Sequence, residues 1–418
     1  MSAHKATTEG ISQPATGGGA GYEVEAEEYV VRDYESFDDM GLPDNLLRGI
    51  YAYGFNHPSQ IQAKAIVPMM EGREVLGQQQ SGTGKTGAFV IGSLAQIDVS
   101  LVAPQVLILS HSRELAMQTA TCAKAISSYM GIKVLYVGGG TRIDHDVRDL
   151  DKGVHFIVGT PGRIKHLINL KKLNTATIKR IIIDEADQML KDRFKDQVGE
   201  IIEPEEGCPF SKDLKIALFS ATLPEEALEV AEQLMPHHVK IIIPKEEVSL
   251  KGIKQYYFLV EDRFKFDALL EIYSHLKINQ LIIFVNSQDS AEKLAHNMER
   301  NGHRLRYIHS GLPQEERMQR MKEFRAGDCK VLISTDLLAR GIDVQQISLV
   351  INYEMPHDNE HYIHRIGRSG RYGRKGCAIN LVNNLELSRN VEDIKAYYQT
   401  EINPLEPSDI EQITGKSL

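Results

Sequence analysis

Short β-branched runs alternate with helix-length segments of mixed polar and apolar residues along this chain. In its first half, "VLILS", "KVLYV", "HFIVGT", "RIIIDE", "KIALFS" and "VKIIIP" recur at helix-sized intervals. Runs this short and this continuously apolar predict strands covered on both faces, and the segments between them predict crossover helices. A parallel α/β sheet is therefore expected. The rhythm breaks at "IPKEEVSLKG" and restarts with "QYYFLV", "LIIFV", "KVLIS", "SLVINY" and "CAINLV". We read two α/β domains, residues 36–244 and 253–418, joined by a linker at 245–252. Residues 1–35 mix Ser, Thr, Gly and Glu around "PATGGGAG". They offer no face to pack and read as a flexible tail, with ordered sequence expected from "SFDDMGL" onward.

Composition narrows the picture. At 418 residues the chain exceeds what one core usually holds, in agreement with two domains. The apolar runs are strand-sized, so no membrane span is expected, and "MSAHKATTEGIS" lacks the order of a secretory signal. An intracellular protein follows, the cytoplasm being favoured over the nucleus. Cys122, Cys208, Cys329 and Cys377 stand apart from one another and from any His at metal-ligand spacing, so they read as reduced core thiols. A net charge of −9 argues against a general polyanion binder. One segment runs the other way: "IHRIGRSGRYGRKG", residues 363–376, carries four Arg and one Lys with no acid.

The chemistry-bearing stretch is "GQQQSGTGKTGAF", residues 77–89. Set against the phosphate loop G-x-x-x-x-G-K-[ST], it matches at Gly84-Lys85-Thr86 but has Gln79 at the first position. It follows a predicted strand ending near Leu76 and opens a predicted helix. Gly82 and Gly84 would fold the backbone tightly so that N–H groups around Ser81, Thr83 and the helix start face phosphate oxygens. Lys85 would meet the β/γ phosphates and Thr86 a Mg²⁺ ion. Alone, the pattern is also that of a glycine turn before a helix. About a hundred residues on, "RIIIDEADQML" brings Asp184, Glu185 and Asp187 out at the C-terminal end of a strand. Asp184 is placed to hold Mg²⁺ and Glu185 to orient and deprotonate the attacking water. Acidic residues at a helix start are the bland alternative.

With Asp-Glu-Ala-Asp in place, the chain resembles the DEAD-box RNA helicases from about Phe37 to its C-terminus. The resemblance implies two tandem RecA-like domains and an RNA-dependent ATPase that uses ATP and Mg²⁺. "GFNHPSQIQ" is similar to the family's adenine-reading motif, implying Gln62 on the adenine edge, Phe55 on its ring and Phe37 bracing from upstream. "SAT", residues 220–222, resembles the motif coupling hydrolysis to domain closure through Ser220 and Thr222. In the second domain "IIFVNS", Gln314 with Arg317, "STDLLARGID" and "HRIGRSGR" follow in family order. They imply Asp343 on the ribose, Arg368 and Arg371 as arginine fingers, and His364 reaching back to Asp187 and the 220–222 loop. If the segment is helical, spacing three apart sets both fingers near one face. A solvated basic helix is the alternative for this run. "DLLRGIYAYGF", "SLKGIKQYY" and "VLISTDLLARGIDVQQISLVINY" resemble most the translation initiation factor 4A group and its exon-junction relatives.

For RNA, the resemblance nominates Arg113, Gly140, Thr160, Arg163 and Thr335, contacting phosphates and 2′-hydroxyls of a single strand or short duplex without sequence preference. Local strand separation is the expected activity. An ATP-gated RNA clamp with slow turnover uses the same residues, and a nucleotide-impaired scaffold or a DNA helicase are further alternatives. The initiation-factor likeness implies a HEAT-repeat scaffold partner for a monomeric enzyme. Three departures from the family pattern stand out. Gln79 replaces Ala or Gly, and would crowd the loop if turned inward. His111-Ser112 replaces Pro-Thr, removing proline's fixed φ from an RNA-facing loop. "GCPFSKDLKIALFSAT" differs just before the third motif.

Overall fold

The computed structural model describes residues 29–79, 82–140, 142–190, 192–203, 210–243, 253–275, 280–338, 347–369, 376–406 and 409. Among them, β1 (Val75–Gln78), β2 (Val106–Leu109), β3 (Val134–Val137), β4 (Phe156–Gly159), β5 (Arg180–Asp184), β6 (Lys215–Ser220) and β7 (Val239–Ile242) form one sheet in the order β3-β4-β2-β5-β6-β1-β7. A second sheet contains β8 (Ile253–Leu259), β9 (Gln280–Phe284), β10 (Leu305–Ile308), β11 (Val331–Ser334), β12 (Ile347–Asn352), β13 (Gly376–Val382) and β14 (Asn403–Pro404). Its order is β10-β11-β9-β12-β13-β8-β14. The described pairings are parallel, as the alternating pattern predicted. These are two tandem RecA-like domains with helices on both faces.

Each strand read from the apolar runs is present. β10 and β14 were not foreseen. β10, "LRYI", lies at a sheet edge, where Leu305 and Ile308 are buried while Arg306 and Tyr307 stay half-buried, so it makes no continuous apolar run. β14 is two residues long and contains Pro404, which edge strands tolerate because one of their N–H sides faces no partner. Central strands obey the opposite rule. All five residues of β5 are buried, and Ile181, Ile182 and Ile183 alternate between the two covered faces. Burying each such side chain contributes about 1.5–3 kcal/mol. The helix Arg113–Ile126 answers with Leu115, Ala116, Thr119, Ala120, Ala123 and Ile126, spaced three and four apart.

The linker at 245–252 and most of the expected tail, residues 1–28, lie outside the described residues. Cys122, Cys329 and Cys377 are buried and form no disulfide, as expected, and Cys208 lies outside the described residues. Among the described residues no helix is long and apolar enough to cross a membrane.

Strand order is what assembles the candidate residues. β5, β6 and β1 are neighbours, with Gln78 in register with Ser220 and Asp184 with Phe219. Their C-terminal ends therefore bring the 79–86 loop, the 184–187 acids and the 220–222 turn together. On the other half of the same edge, β3, β4 and β2 end in register at Val137, Gly159 and Leu109. From there issue Gly140, Thr160 and Arg113, so one sheet edge separates nucleotide candidates from RNA candidates.

Candidate functional site

The phosphate-loop segment leaves β1 through Gly77. A Cβ there would lie 2.5 Å from Cε1 of Phe219, so glycine is what lets β1 close on β6. Gly82 and Gly84 take φ of +83° and +101°, left-handed values that turn the chain into the helix Lys85–Leu94. Ser81 lies outside the described residues, and Thr83 and Thr86 are half-buried. Lys85 begins the helix with its side chain buried, and its Nζ donates to the Gln79 carbonyl at 2.6 Å. The helix Gln60–Met70 packs alongside. The Ser59 N–H donates to Gln62 Oε1 at 2.9 Å, and Gln62 Nε2 donates to the Gly84 carbonyl at 3.1 Å. A Cβ on Gly87 would meet Gln62 Nε2 at 2.5 Å and Phe55 at 2.9 Å, so both side chains rest on the glycine face of the loop helix. Phe37 is fully buried, edge-to-face with Tyr51 at 6.3 Å. Gln79 is buried and turned toward the Gln60–Met70 helix, where its Nε2 donates to Gln60 Oε1 at 3.3 Å.

The acids complete the cleft. Asp184 closes β5 and accepts the Glu185 N–H at 3.0 Å. Glu185 adopts φ +52° and ψ +57°, a strained conformation for a residue with a Cβ, before the short helix Ala186–Met189. Asp187 is fully buried, accepting from Ser220 Oγ at 2.8 Å and Thr222 Oγ1 at 2.9 Å. Burial, then the neighbouring Glu185 charge, pushes the Asp184 carboxyl up to about 8 against the pull of Lys85. Burial likewise holds Lys85 below the ordinary lysine range, opposed by Glu185, Asp184 and Asp187. Asp184, Glu185 and Asp187 crowd negative charge around the single Lys85 ammonium, and such an excess of carboxylate oxygen fits a hard divalent cation.

The second domain reaches this cleft through the helix Asn359–Ile366, capped by Asp358, which accepts the His361 N–H at 2.7 Å. His364 is fully buried and its Nε2 lies 3.3 Å from Asp187 Oδ2. The helix ends at Ile366, so Arg368 stands beyond it, its Nε donating to the His364 carbonyl at 3.0 Å. Arg368 is close enough that its charge disfavours the Lys85 ammonium. Arg371 and Asp343 lie outside the described residues. In the described part of the basic run, Arg365 and Arg368 are buried and not solvated. Arg365 is fully buried, with Nε and Nη2 on Asp336 at 2.6 and 2.9 Å and Nη1 on the Glu354 carbonyl at 2.7 Å.

At the RNA candidates, Gly140 has φ +89°, and a Cβ on it would lie 2.6 Å from Arg113 Nη1. Arg113 Nη1 donates across the domains to Gln314 Oε1 at 3.2 Å, and Gln314 also accepts from Arg317. Arg317 Nη1 lies 3.2 Å from Glu114 Oε1, an ion pair whose angles do not make a hydrogen bond. Arg163 pairs with Asp146 at 2.8 Å, both side chains nearly buried. Thr160 follows β4 and Thr335 follows β11, both half-buried. Ser112 caps the helix Arg113–Ile126 by accepting the Leu115 N–H at 3.3 Å, which orders this turn without proline. Sequence reasoning missed Glu114 and Gln60. Glu114 could have been suspected from its place beside Arg113, whereas nothing in the sequence marks Gln60 as facing residue 79.

Comparison with known proteins accords with this geometry. The DEAD/DEAH box helicase domain matches residues 59–230 and the helicase conserved C-terminal domain residues 264–373. The ATP-dependent RNA helicase eIF4A of Kluyveromyces lactis is 46% identical over 379 residues, which are 90% of this chain and 94% of that protein. Saccharomyces cerevisiae Dbp5 bound to RNA and ADP BeF3 superposes with a TM-score of 0.84 at 33% identity, over 91% of this chain and all of that one. A Dbp5 variant bound to Gle1 and IP6 gives 0.74 at 34% identity, over 91% and 97%. The chain belongs to the DEAD-box family of ATP-dependent RNA helicases.

Proposed function

We propose that this enzyme couples RNA-stimulated ATP hydrolysis to closure of its two domains, and thereby separates short stretches of RNA duplex during translation initiation or related mRNA metabolism. The observation that carries the reading is the cleft to which both domains contribute: Lys85, Asp184, Glu185 and Asp187 from one, His364 and Arg368 from the other. Phosphoryl transfer spreads charge over the γ-phosphate oxygens, so a cation delivered only when the domains meet accelerates it. Arg368 is that cation in our reading, with Arg371 as its companion.

The other roles rest on position for the described residues and on the family resemblance for Ser81, Asp343 and Arg371. Gln62 and Phe55 read the adenine, with Phe37 bracing their segment. The backbone of Ser81, Gly82, Thr83 and Gly84 cradles phosphates, and Lys85 neutralises them. Asp343 holds the ribose. Thr86 and Asp184 would hold Mg²⁺, which would supply charge neutralisation for the phosphates. Glu185 takes the proton of the attacking water. Asp187, Ser220, Thr222 and His364 form one hydrogen-bonded chain, so loss of the γ-phosphate is felt as loosening of the domain contact. Arg113, Gly140, Thr160 and Arg163 hold RNA on the opposite half of that edge, and Thr335 holds it from the second domain. The Arg113–Gln314 and Glu114–Arg317 contacts support a second point of closure there. A better superposition on Dbp5 with RNA and ADP BeF3 than on Dbp5 with Gle1 supports the closed arrangement. By analogy with initiation factors, a HEAT-repeat scaffold would steady the two domains of a cytoplasmic monomer. The domain boundaries at 36–244 and 253–418 go with this reading.

The test is ATPase rate with and without single-stranded RNA, beside Glu185→Gln. We expect strong RNA stimulation, and a loss of about 10²–10⁴-fold on removing the general base while nucleotide binding persists. Slow turnover with a long-lived RNA complex would replace unwinding by a clamp, and equal stimulation by DNA would overturn RNA selectivity.

A further inference from the structure

Three hydrogen bonds meet at Gln79, one of them from its backbone N–H to the Ser220 carbonyl at 3.2 Å. Its backbone carbonyl accepts from Lys85 Nζ at 2.6 Å, and its side-chain Nε2 donates to Gln60 Oε1 at 3.3 Å. The side chain is 6% exposed, and its Oε1 meets no hydrogen-bond partner among the described residues. An amide buried with one oxygen unsatisfied is a poor filler for a core site, since an apolar residue would fill it without that penalty. Its remaining use is the bond to Gln60.

That bond links the entry of the phosphate loop to the first turn of the Gln60–Met70 helix. The exit of the loop is linked to the same turn, through Gln62 Nε2 and the Gly84 carbonyl at 3.1 Å. One helix therefore grips the loop at both ends. With its N–H on the Ser220 carbonyl and its side chain on Gln60, Gln79 is biased to keep its own carbonyl toward Lys85. The ammonium has three N–H donors, and the one bonded to that carbonyl reaches a phosphate only after the bond breaks.

We propose that Gln79 and Gln60 form a positioning pair that holds the loop in its lysine-engaged form and so weakens nucleotide binding. This rests on the nucleotide reading of the loop given above. Because the tether acts on the nucleotide-free protein, its loss raises the association rate more than it alters dissociation.

The probe is a fluorescent N-methylanthraniloyl ADP titrated into the full chain. Gln79→Ala and Gln60→Ala should each tighten binding by about fivefold, the worth of one net hydrogen bond, carried by faster association. The double variant should bind no tighter than either single one, since both remove the same bond. Unchanged or weaker binding by either variant, or a double variant showing the product of the two gains, overturns the pair. A purely structural role would lower the melting temperature and leave the association rate alone, which also overturns it. Lys85→Ala in the same assay should weaken binding at least about tenfold. If it does not, the nucleotide reading itself falls, an outcome distinct from failure of the two glutamine variants.

Discussion

The two sheets are wound alike: adding seven to each strand number of the first order reproduces the second. At the exit of the first strand of each, a lysine opens a helix, Lys85 after β1 and Lys265 after β8. Both are buried, yet they are treated differently. Lys265 Nζ reaches Glu386 and Asp262 at 3.0 Å each, so its charge is met inside its own domain. Lys85 donates to a backbone carbonyl, while the acids that act on it stand at the ends of neighbouring strands and Arg368 presses from the other domain. Topology supplied the same position twice. The carboxylates around Lys265 belong to its own domain, whereas Lys85 is held among charges contributed by both domains, which domain movement or a ligand could rearrange.

Two neighbouring arginines, Arg368 and Arg365, should differ in the same way. Arg368→Ala should lower RNA-stimulated hydrolysis by about 10³–10⁵-fold with nucleotide binding retained. Turnover within tenfold of the parent would remove Arg368 from the reaction. Next come the paired lysines. Lys85→Ala should cost about 10²–10³-fold in hydrolysis. Lys265→Ala should leave turnover near the parent value but lower stability in denaturant by about 1–3 kcal/mol. Exchanged phenotypes would mean the charge-neutralisation argument is wrong. Arg365→Ala sharpens it further: stranding Asp336 should destabilise the second domain by about 3 kcal/mol, read from its unfolding midpoint. The smallest effect is expected at the RNA edge. Gly140→Ala forces a Cβ onto a left-handed residue against Arg113, and should weaken RNA binding by about fivefold, measured by fluorescence anisotropy, without altering nucleotide affinity.

Legibility from sequence varied with the kind of signal. β5 was readable because burial on both faces demands an unbroken apolar run, whereas β10 was hidden because an edge strand needs only Leu305 and Ile308 inside. Glu185 was nominated from its neighbours, but its left-handed backbone could not be read from residue types that rarely adopt it. The basic run offered a solvated helix as one reading. Only packing revealed that Arg365 is an internal strut and that the helix stops before Arg368. The direction taken by the Gln79 side chain was likewise open, because either orientation satisfies the local pattern.

The amino-acid order alone determined that there are two parallel α/β units, that a lysine and a threonine end a glycine loop, and that carboxylates leave a buried strand. Each depends on short-range physics: side-chain periodicity, glycine's φ range and the polarity of a strand end. Which charges meet was decided by tertiary structure. Strand order set β1 beside β6 and β5, and the apposition of the two domains brought His364 within 3.3 Å of Asp187. Electrostatic energy depends on distance and burial in space, and neither is encoded by separation along the chain.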